Sequence, residues 1–234
     1  MIKAKKSLGQ NFLIDRHVLS QIADLIDIKG KTILEVGPGT GNLTKFLLKK
    51  KPKKFFVVEK DNDLVLLLNK SFGNKITIFN QDILKVNENF ICNDQIIVFG
   101  NLPYNISTEI LSKWIHGLNE KKWCSHLILM FQKEVADRII SKFNSSKYGR
   151  LSILANWKFE IKKIIDVKAG SFSPKPKIDS SILFLSPKKK FFKFKDSKNL
   201  ELITRTFFNQ RRKMIKKPFY KLFKGKNDIL KKLD

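Results

Sequence analysis

Residues 99–108 read FGNLPYNIST, and the types gathered there suit one kind of chemistry. Asn101 carries an amide oxygen, Leu102 and Pro103 offer backbone carbonyls, and Tyr104 offers a flat ring. Proline has no N–H, so Pro103 can only accept. Together these groups fit an exocyclic amine on a base turned out of its stack. Such an amine is a poor nucleophile, because its lone pair is delocalised into the ring. Two acceptors gripping its N–H bonds favour a pyramidal nitrogen and aim the lone pair at an electrophilic methyl. That is catalysis by position and electrostatics, with no strong base. Asn, Pro and Gly also favour ordinary turns, which is the competing reading.

A second constellation supports the first. Residues 35–41 read EVGPGTG, between a predicted strand and a predicted helix. Glycines there permit a tight turn and close approach of a ligand to backbone. The spacing is G-x-G-x-G, not the dinucleotide G-x-G-x-x-G, and Pro38 removes one N–H that a pyrophosphate would want. Glu59 follows Gly37 by 22 positions and closes the next strand, where a carboxylate can take both hydroxyls of a ribose. Asp82 closes the third strand and can accept from an adenine amine. Each acid alone reads as a solvated loop residue. In register with the glycine loop they describe an adenosine pocket, and the fourth strand end, Asn101 to Tyr104, lies beside it.

Such a pocket needs strands that all end on one side. Apolar runs at 32–36, 55–58, 75–79, 96–99 and 127–131 read as strands, and 42–50, 64–71 and 109–118 as helices. This βαβα rhythm predicts an α/β fold with a parallel sheet covered on both faces. Beyond it, 133–141 and 151–157 read as helices and 159–167 and 181–185 as late strands. The stretch KKKFFKFKDSK at 188–198 reads as a basic linker, 200–208 as a helix, and QRRKMIKK as a basic tail. That tail is either a solvated face or an RNA contact through Arg211 and Arg212.

Composition agrees. The chain has 234 residues, 47 basic against 21 acidic, and a net charge of +26. A surplus of that size points to a polyanionic partner. An AT-rich genome explains lysine over arginine but not the shortage of acids. Cys92 and Cys124 form no CxxC pair and the three histidines stand apart, so neither a zinc site nor a disulfide framework is expected. No signal peptide and no membrane-length apolar run is visible, and a cytoplasmic setting is expected.

The chain resembles the ribosomal RNA adenine N6,N6-dimethyltransferases, the KsgA family. The resemblance is carried in order by KKSLGQNFLID (5–15), ILEVGPGTGNLT (33–44), VEKD (58–61), QDIL (81–84) and FGNLPYNIST (99–108). It continues through QKEVADR (132–138), YGRLS (148–152), FSPKPKIDS (172–180) and FNQRRK (208–213). It implies a Rossmann-like class I methyltransferase fold with a mostly parallel seven-stranded sheet over 1–187. A small helical C-terminal domain is expected over 188–234, short or truncated beside the family's. The implied donor is S-adenosylmethionine, with Asn11 and Leu13 in a segment closing over it. Gly37, Gly39, Glu59, Asp82 and Asn101 are implied as its other contacts. Asn101, Pro103, Tyr104 and Phe172 would serve catalysis, Phe172 stacking on the target base opposite Tyr104. The chain has 20 phenylalanines, so a core position is the competing reading of Phe172. The implied substrate is a pair of adjacent adenines in a hairpin near the 3′ end of small-subunit rRNA, modified by a monomer during subunit maturation. Two other readings stand beside it: a large-subunit rRNA methyltransferase of the macrolide-resistance type, and a non-catalytic RNA-binding factor on the same fold.

Overall fold

Val36, at the end of TILEV, and every residue before it in that run are buried, so both faces of this strand must be covered. The computed structural model, which describes residues 4–88, 91, 94–118, 123–209 and 216–223, supplies that cover. The chain opens with β1 (Phe12–Leu13), α1 (Arg16–Asp24), β2 (Thr32–Val36), α2 (Asn42–Lys49), β3 (Lys54–Val58), α3 (Asn62–Phe72) and β4 (Thr77–Phe79). It continues with β5 (Ile96–Asn101), α4 (Ser107–Gly117), β6 (Cys124–Gln132), α5 (Lys133–Ile140), α6 (Arg150–Lys158) and β7 (Phe159–Val167). Last come β8 (Phe172–Ser173), β9 (Ser180–Pro187), α7 (Lys198–Phe208) and α8 (Lys216–Phe223).

Seven strands form one sheet in the order β4-β3-β2-β5-β6-β9-β7. The first five are parallel, and β9 pairs antiparallel with both β6 and β7. The expected mostly parallel, seven-stranded α/β sheet is therefore present. Side chains alternate across it. Leu34, Val36 and Val98 pack with Trp114 and Phe131 on one face; Ile33, Val57 and Phe99 pack with Leu19 and Leu47 on the other. Burying each such side chain stabilises the fold by roughly 1.5–3 kcal/mol before entropy is counted. Strand order reverses at β2, with β3 on one side and β5 on the other. Ligands of open α/β sheets bind at such a switch point, outside the carboxyl ends of the strands.

Three features differ from the sequence reading. β4 starts at Thr77, not 75, because 73–75 form a 3-10 turn after α3, with Gly73 at φ 50°. β5 does not stop at Phe99: Gly100 pairs with Val36 and Leu129, and Asn101 with Met130. The NLPY stretch thus begins inside the sheet, which fixes where Asn101 starts. Residues 16–24, to which the sequence reading assigned no element, form α1, capped by the Asp15 carboxylate on the His17 and Val18 N–H groups at 3.0 and 3.3 Å. After β9, α7 lies against α4 and α6. Glu201 there accepts from Ser112 at 3.2 Å and Arg150 at 2.8 Å. No described helix is long and apolar enough to cross a membrane.

Candidate active site

The carboxyl ends of β2, β3 and β5 open into a cavity of about 200 Å³. Gly37 and Gly39, at φ +67° and +57°, form its floor in a conformation side chains disfavour. A Cβ on Gly39 would stand 2.6 Å from the Phe12 ring, so the loop and the N-terminal segment can close only on a glycine. Three of the loop's amides are already used. Gly37 N–H donates to the Val58 carbonyl at 3.0 Å, Gly41 to Pro38 at 2.9 Å, and Gly39 to Glu59 Oε2 at 3.4 Å. A pyrophosphate would find few free donors, in line with the spacing. The cavity suits a ligand that wants acceptors and a close backbone.

Acceptors are plentiful. Glu59 is buried, and its Oε1 takes the Lys60 and Asp61 N–H groups at 2.9 Å each. Burial pushes its carboxyl above the usual range, and the three backbone donors oppose that. Asp82 holds Lys60 Nζ at 2.9 Å through Oδ2 and the Leu84 N–H at 3.0 Å through Oδ1. The lysine first, then the backbone donor, keep it below the usual carboxylate range. Both acids line the cavity with the glycine loop.

A third acid was not singled out in the sequence. Glu35 faces the same cavity, 2 % exposed, and accepts the Thr44 hydroxyl at 2.7 Å. Burial pushes its pKa up to about 8, with Thr44 opposing and the neighbouring Glu59 adding to the rise. Its signal was in plain view: an acid inside TILEV, a run otherwise buried and apolar.

At the end of β5 the Asn101 amide is oriented by a contact across the cavity. Its Nδ2 donates to the Asn11 carbonyl at 2.9 Å, and among the described hydrogen bonds its Oδ1 accepts none. The Pro103 carbonyl accepts the Ile106 N–H at 3.1 Å and so closes the turn into α4. Of the two carbonyls the sequence offers, that of Pro103 thus has one lone pair committed. The Leu102 carbonyl has no described partner and lies between Asn101 and that turn. Tyr104 lines the cavity, and its hydroxyl meets Ser180 Oγ at 2.6 Å, at the start of β9.

The N-terminal segment crosses the opening. Residues 7–13 line the cavity, Leu13 accepts from Asn42 Nδ2 at 2.9 Å, and Gln10 Nε2 reaches Asp61 at 2.8 Å. Lys5 anchors the far end on Asp61 and Asp63 at 2.6 and 2.7 Å. The segment is tied back through β1, whose Leu13 pairs with Phe172 of β8. That pairing decides the place of Phe172. It is 3 % exposed, packed with Leu13, Val18 and Leu19 in the core and not on the cavity wall. The structure does not set it opposite Tyr104; the core reading of this phenylalanine holds. Arg211, Arg212 and Cys92 lie outside the described residues. Among the described residues no cluster of His, Cys, Asp and Glu is placed to hold a metal.

Comparison with known proteins points the same way as this geometry. A model of the family described as ribosomal RNA adenine dimethylase matches residues 1–233. The ribosomal RNA small subunit methyltransferase A of Pelagibacter ubique is 62% identical over 99% of this chain and 88% of its own length. The protein of the same name from Zymomonas mobilis is 39% identical, over 92% of this chain and 78% of its own. Among solved structures, a dimethyladenosine transferase from Plasmodium falciparum superposes with a TM-score of 0.77 at 30% identity, covering 89% of this chain and 74% of that one.

Proposed function

This chain belongs to the ribosomal RNA adenine dimethylase family, and from that we propose how its cavity performs the reaction and on what RNA. It is an rRNA adenine N6,N6-dimethyltransferase with S-adenosylmethionine as methyl donor. The residues present fit that donor: a floor where a Cβ on Gly39 would strike Phe12, and carboxylates at two strand ends. Bound there, the donor supplies an electrophilic methyl group. In our reading Glu59 takes the ribose hydroxyls, Asp82 the adenine amine, and Gly37 and Gly39 admit the ligand close to backbone. Asn11 and Leu13 cover it.

The single observation that carries the catalytic assignment is the Asn101 amide, whose N–H side is committed to Asn11. Its Oδ1 and the Leu102 carbonyl then form the pair of acceptors for the target N6–H bonds. They hold the amine with its lone pair turned toward the methyl, and they stabilise positive charge as it grows on nitrogen. Tyr104 gives the base a face to stack on, and base–aromatic stacking is worth roughly 1–3 kcal/mol.

The substrate in this reading is two adjacent adenines in a hairpin near the 3′ end of small-subunit rRNA, met on an immature subunit by a cytoplasmic monomer. In this reading residues 1–187 are the methyltransferase domain and 188–234 a second, basic portion of the chain. The small-subunit names of the relatives favour this over the large-subunit alternative. The test is methyl transfer from labelled S-adenosylmethionine to small subunits lacking the modification, with the product mapped by mass spectrometry. Dimethyladenosine at two neighbouring positions is expected. A folded protein that yields no labelled small-subunit rRNA, or labels only the large subunit, rejects the substrate.

A further inference from the structure

The opposite end of the sheet takes no part in the cavity. β9 starts at Ser180, which touches Tyr104, and ends at Pro187. Seven strand rises of about 3.4 Å separate the two ends by roughly 24 Å. From the far end the chain leaves as KKKFFKFKDSK, residues 188–198, with six lysines against one aspartate. The sequence reads as a linker, but the structure holds it in place. The Trp157 indole donates to the Phe192 carbonyl at 2.7 Å, and the Lys188 N–H donates to the Lys158 carbonyl at 2.8 Å. The Trp157 ring meets Phe194 at 5.2 Å and Phe191 at 6.1 Å, centroid to centroid. Lys158 completes the base, its ammonium 4.3 Å from the Trp157 ring and 2.7 Å from the Leu118 carbonyl.

Held this way, Phe192 is 69 % exposed and Phe194 36 %. Lys189, Lys190 and Lys195 are exposed beside them. Single exposed aromatics are ordinary. Two neighbouring rings set among lysines, on a fixed platform, are what an unpaired nucleic-acid strand needs. Ammonium groups follow its phosphates and ring faces stack on its bases.

We propose that residues 188–198 on the Trp157 platform are a second docking surface for an unpaired stretch of RNA, remote from the methyl-transfer cavity. The proposal rests on rRNA as substrate and adds where the rest of that RNA is held. RNA is favoured over a lipid surface because the rings are anchored. Phe192 and Phe194 stand at 4.7 Å and 63° to one another, and Phe194 is locked on Trp157. Rings fixed like this can stack on bases, but they are not free to plunge into an acyl layer.

The test uses the full chain with Phe192→Ala, and separately Lys189→Gln with Lys190→Gln. Methylation of undermethylated small subunits is followed against salt, and binding of a fluorescent 20-nucleotide oligouridine is measured in parallel. For Phe192→Ala, KM and the oligouridine Kd rise roughly tenfold with kcat retained. For the lysine pair, the slope of log Kd against log salt falls by about one to two. Phe192→Tyr restores both KM and Kd. Parental KM, Kd and salt slope in folded variants overturn the proposal. So does loss of binding to phosphatidylserine vesicles with RNA binding intact, which would make the occupant a membrane. If the parent methylates no subunit, the substrate reading fails by itself. Oligouridine binding then still decides the surface, its loss in the variants supporting the proposal and its persistence rejecting it.

Discussion

The two ends of this sheet carry opposite chemistry. At the carboxyl ends of β2, β3 and β4, a chain of net charge +26 gathers Glu35, Glu59 and Asp82 around one small cavity. At the far end of β9 it lays out lysines and bare rings. The acids are held by fixed donors: Thr44 on Glu35, backbone N–H groups on Glu59, Lys60 and Leu84 N–H on Asp82. The lysines of the far end are spread over a surface. The difference separates precision from reach. A methyl donor and a single amine need groups fixed within a few tenths of an ångström, whereas a polyanion needs charge over an area. The division implies that substitutions at the cavity act on chemistry and donor binding, and those at the far end on RNA affinity alone.

The sharpest test is Asn101→Ala. Removing one of two acceptors that act on developing charge lowers kcat by about 10²–10³-fold. The donor Kd, read by calorimetry, moves by less than about fivefold. Asn101→Ala also frees the Asn11 carbonyl, so Asn101→Asp is the sharper companion. It keeps an acceptor but loses the N–H that orients it, and an intermediate kcat is expected. If Asn101→Ala weakens donor binding as strongly as it slows turnover, the separation between gripping the amine and holding the donor breaks down.

The buried Glu35 gives the next largest effect. Its folded pKa, about 8, lies above its ordinary value of 4.5. The folded state therefore keeps a proton that the unfolded state gives up. Stability from this group is complete below pH 4.5 and is lost as pH rises through about 8. At roughly 1.4 kcal/mol per unit, the loss is on the order of 5 kcal/mol. Glu35→Gln should remove it. Urea midpoints at pH 5 and pH 9 would differ less in the variant than in the parent. An unchanged difference would mean that Glu35 is ionised in the fold and that the cavity holds one more negative charge than supposed.

Glu35 also marks how far the sequence could be read. Strands that end in chemistry were legible, because an apolar run followed by Gly, Glu, Asp or Asn leaves a local trace. The parallel sheet and the positions of Gly37, Glu59, Asp82 and Asn101 came from that trace. What stayed hidden depends on partners far along the chain. β1 and β8 are two residues each, too short for any periodicity, and the paired Leu13 and Phe172 stand 159 positions apart. Yet that pairing draws Phe172 into the core. The Ser180 contact with Tyr104 spans 76 positions. Which of two adjacent carbonyls remains open, Leu102 or Pro103, is decided by a single N–H, that of Ile106. The motifs located the site, and tertiary contacts distributed the roles within it.

Glu59→Gln is a smaller change at the same end. A neutral amide accepts a ribose hydroxyl less strongly than a carboxylate, and charge-assisted bonds are about twice as strong. The donor Kd should rise roughly tenfold at pH 8. Because burial holds the Glu59 pKa above the usual range, protonation begins at higher pH than for an ordinary carboxylate. Donor affinity of the parent should thus fall on acidification, starting above the normal carboxylate range, while that of Glu59→Gln stays flat. Calorimetry from pH 8 down to pH 5 checks this. Parallel curves for the two proteins would assign the ribose to another group.

The smallest effect is expected at the Lys5 anchor, where the two chemistries meet. Lys5 is a surface lysine, with its side chain 43% exposed, yet it serves the acidic end by tying the covering segment to Asp61 and Asp63. The Asp63 carboxylate is itself 63% exposed, and ion pairs in water contribute little. Asp61 is buried and keeps the Gln10 amide and the Asp63 N–H when Lys5 is lost, so no carboxylate is stranded. Lys5→Ala should therefore quicken release of the donor only about two- to threefold. The difference from the parent should shrink as salt rises and screens the pair. Stopped-flow displacement of the donor at low and high salt reads both quantities. A tenfold faster release that salt does not change would show that the segment is held chiefly by Lys5, and that this single cation governs the cavity as much as the acids it touches.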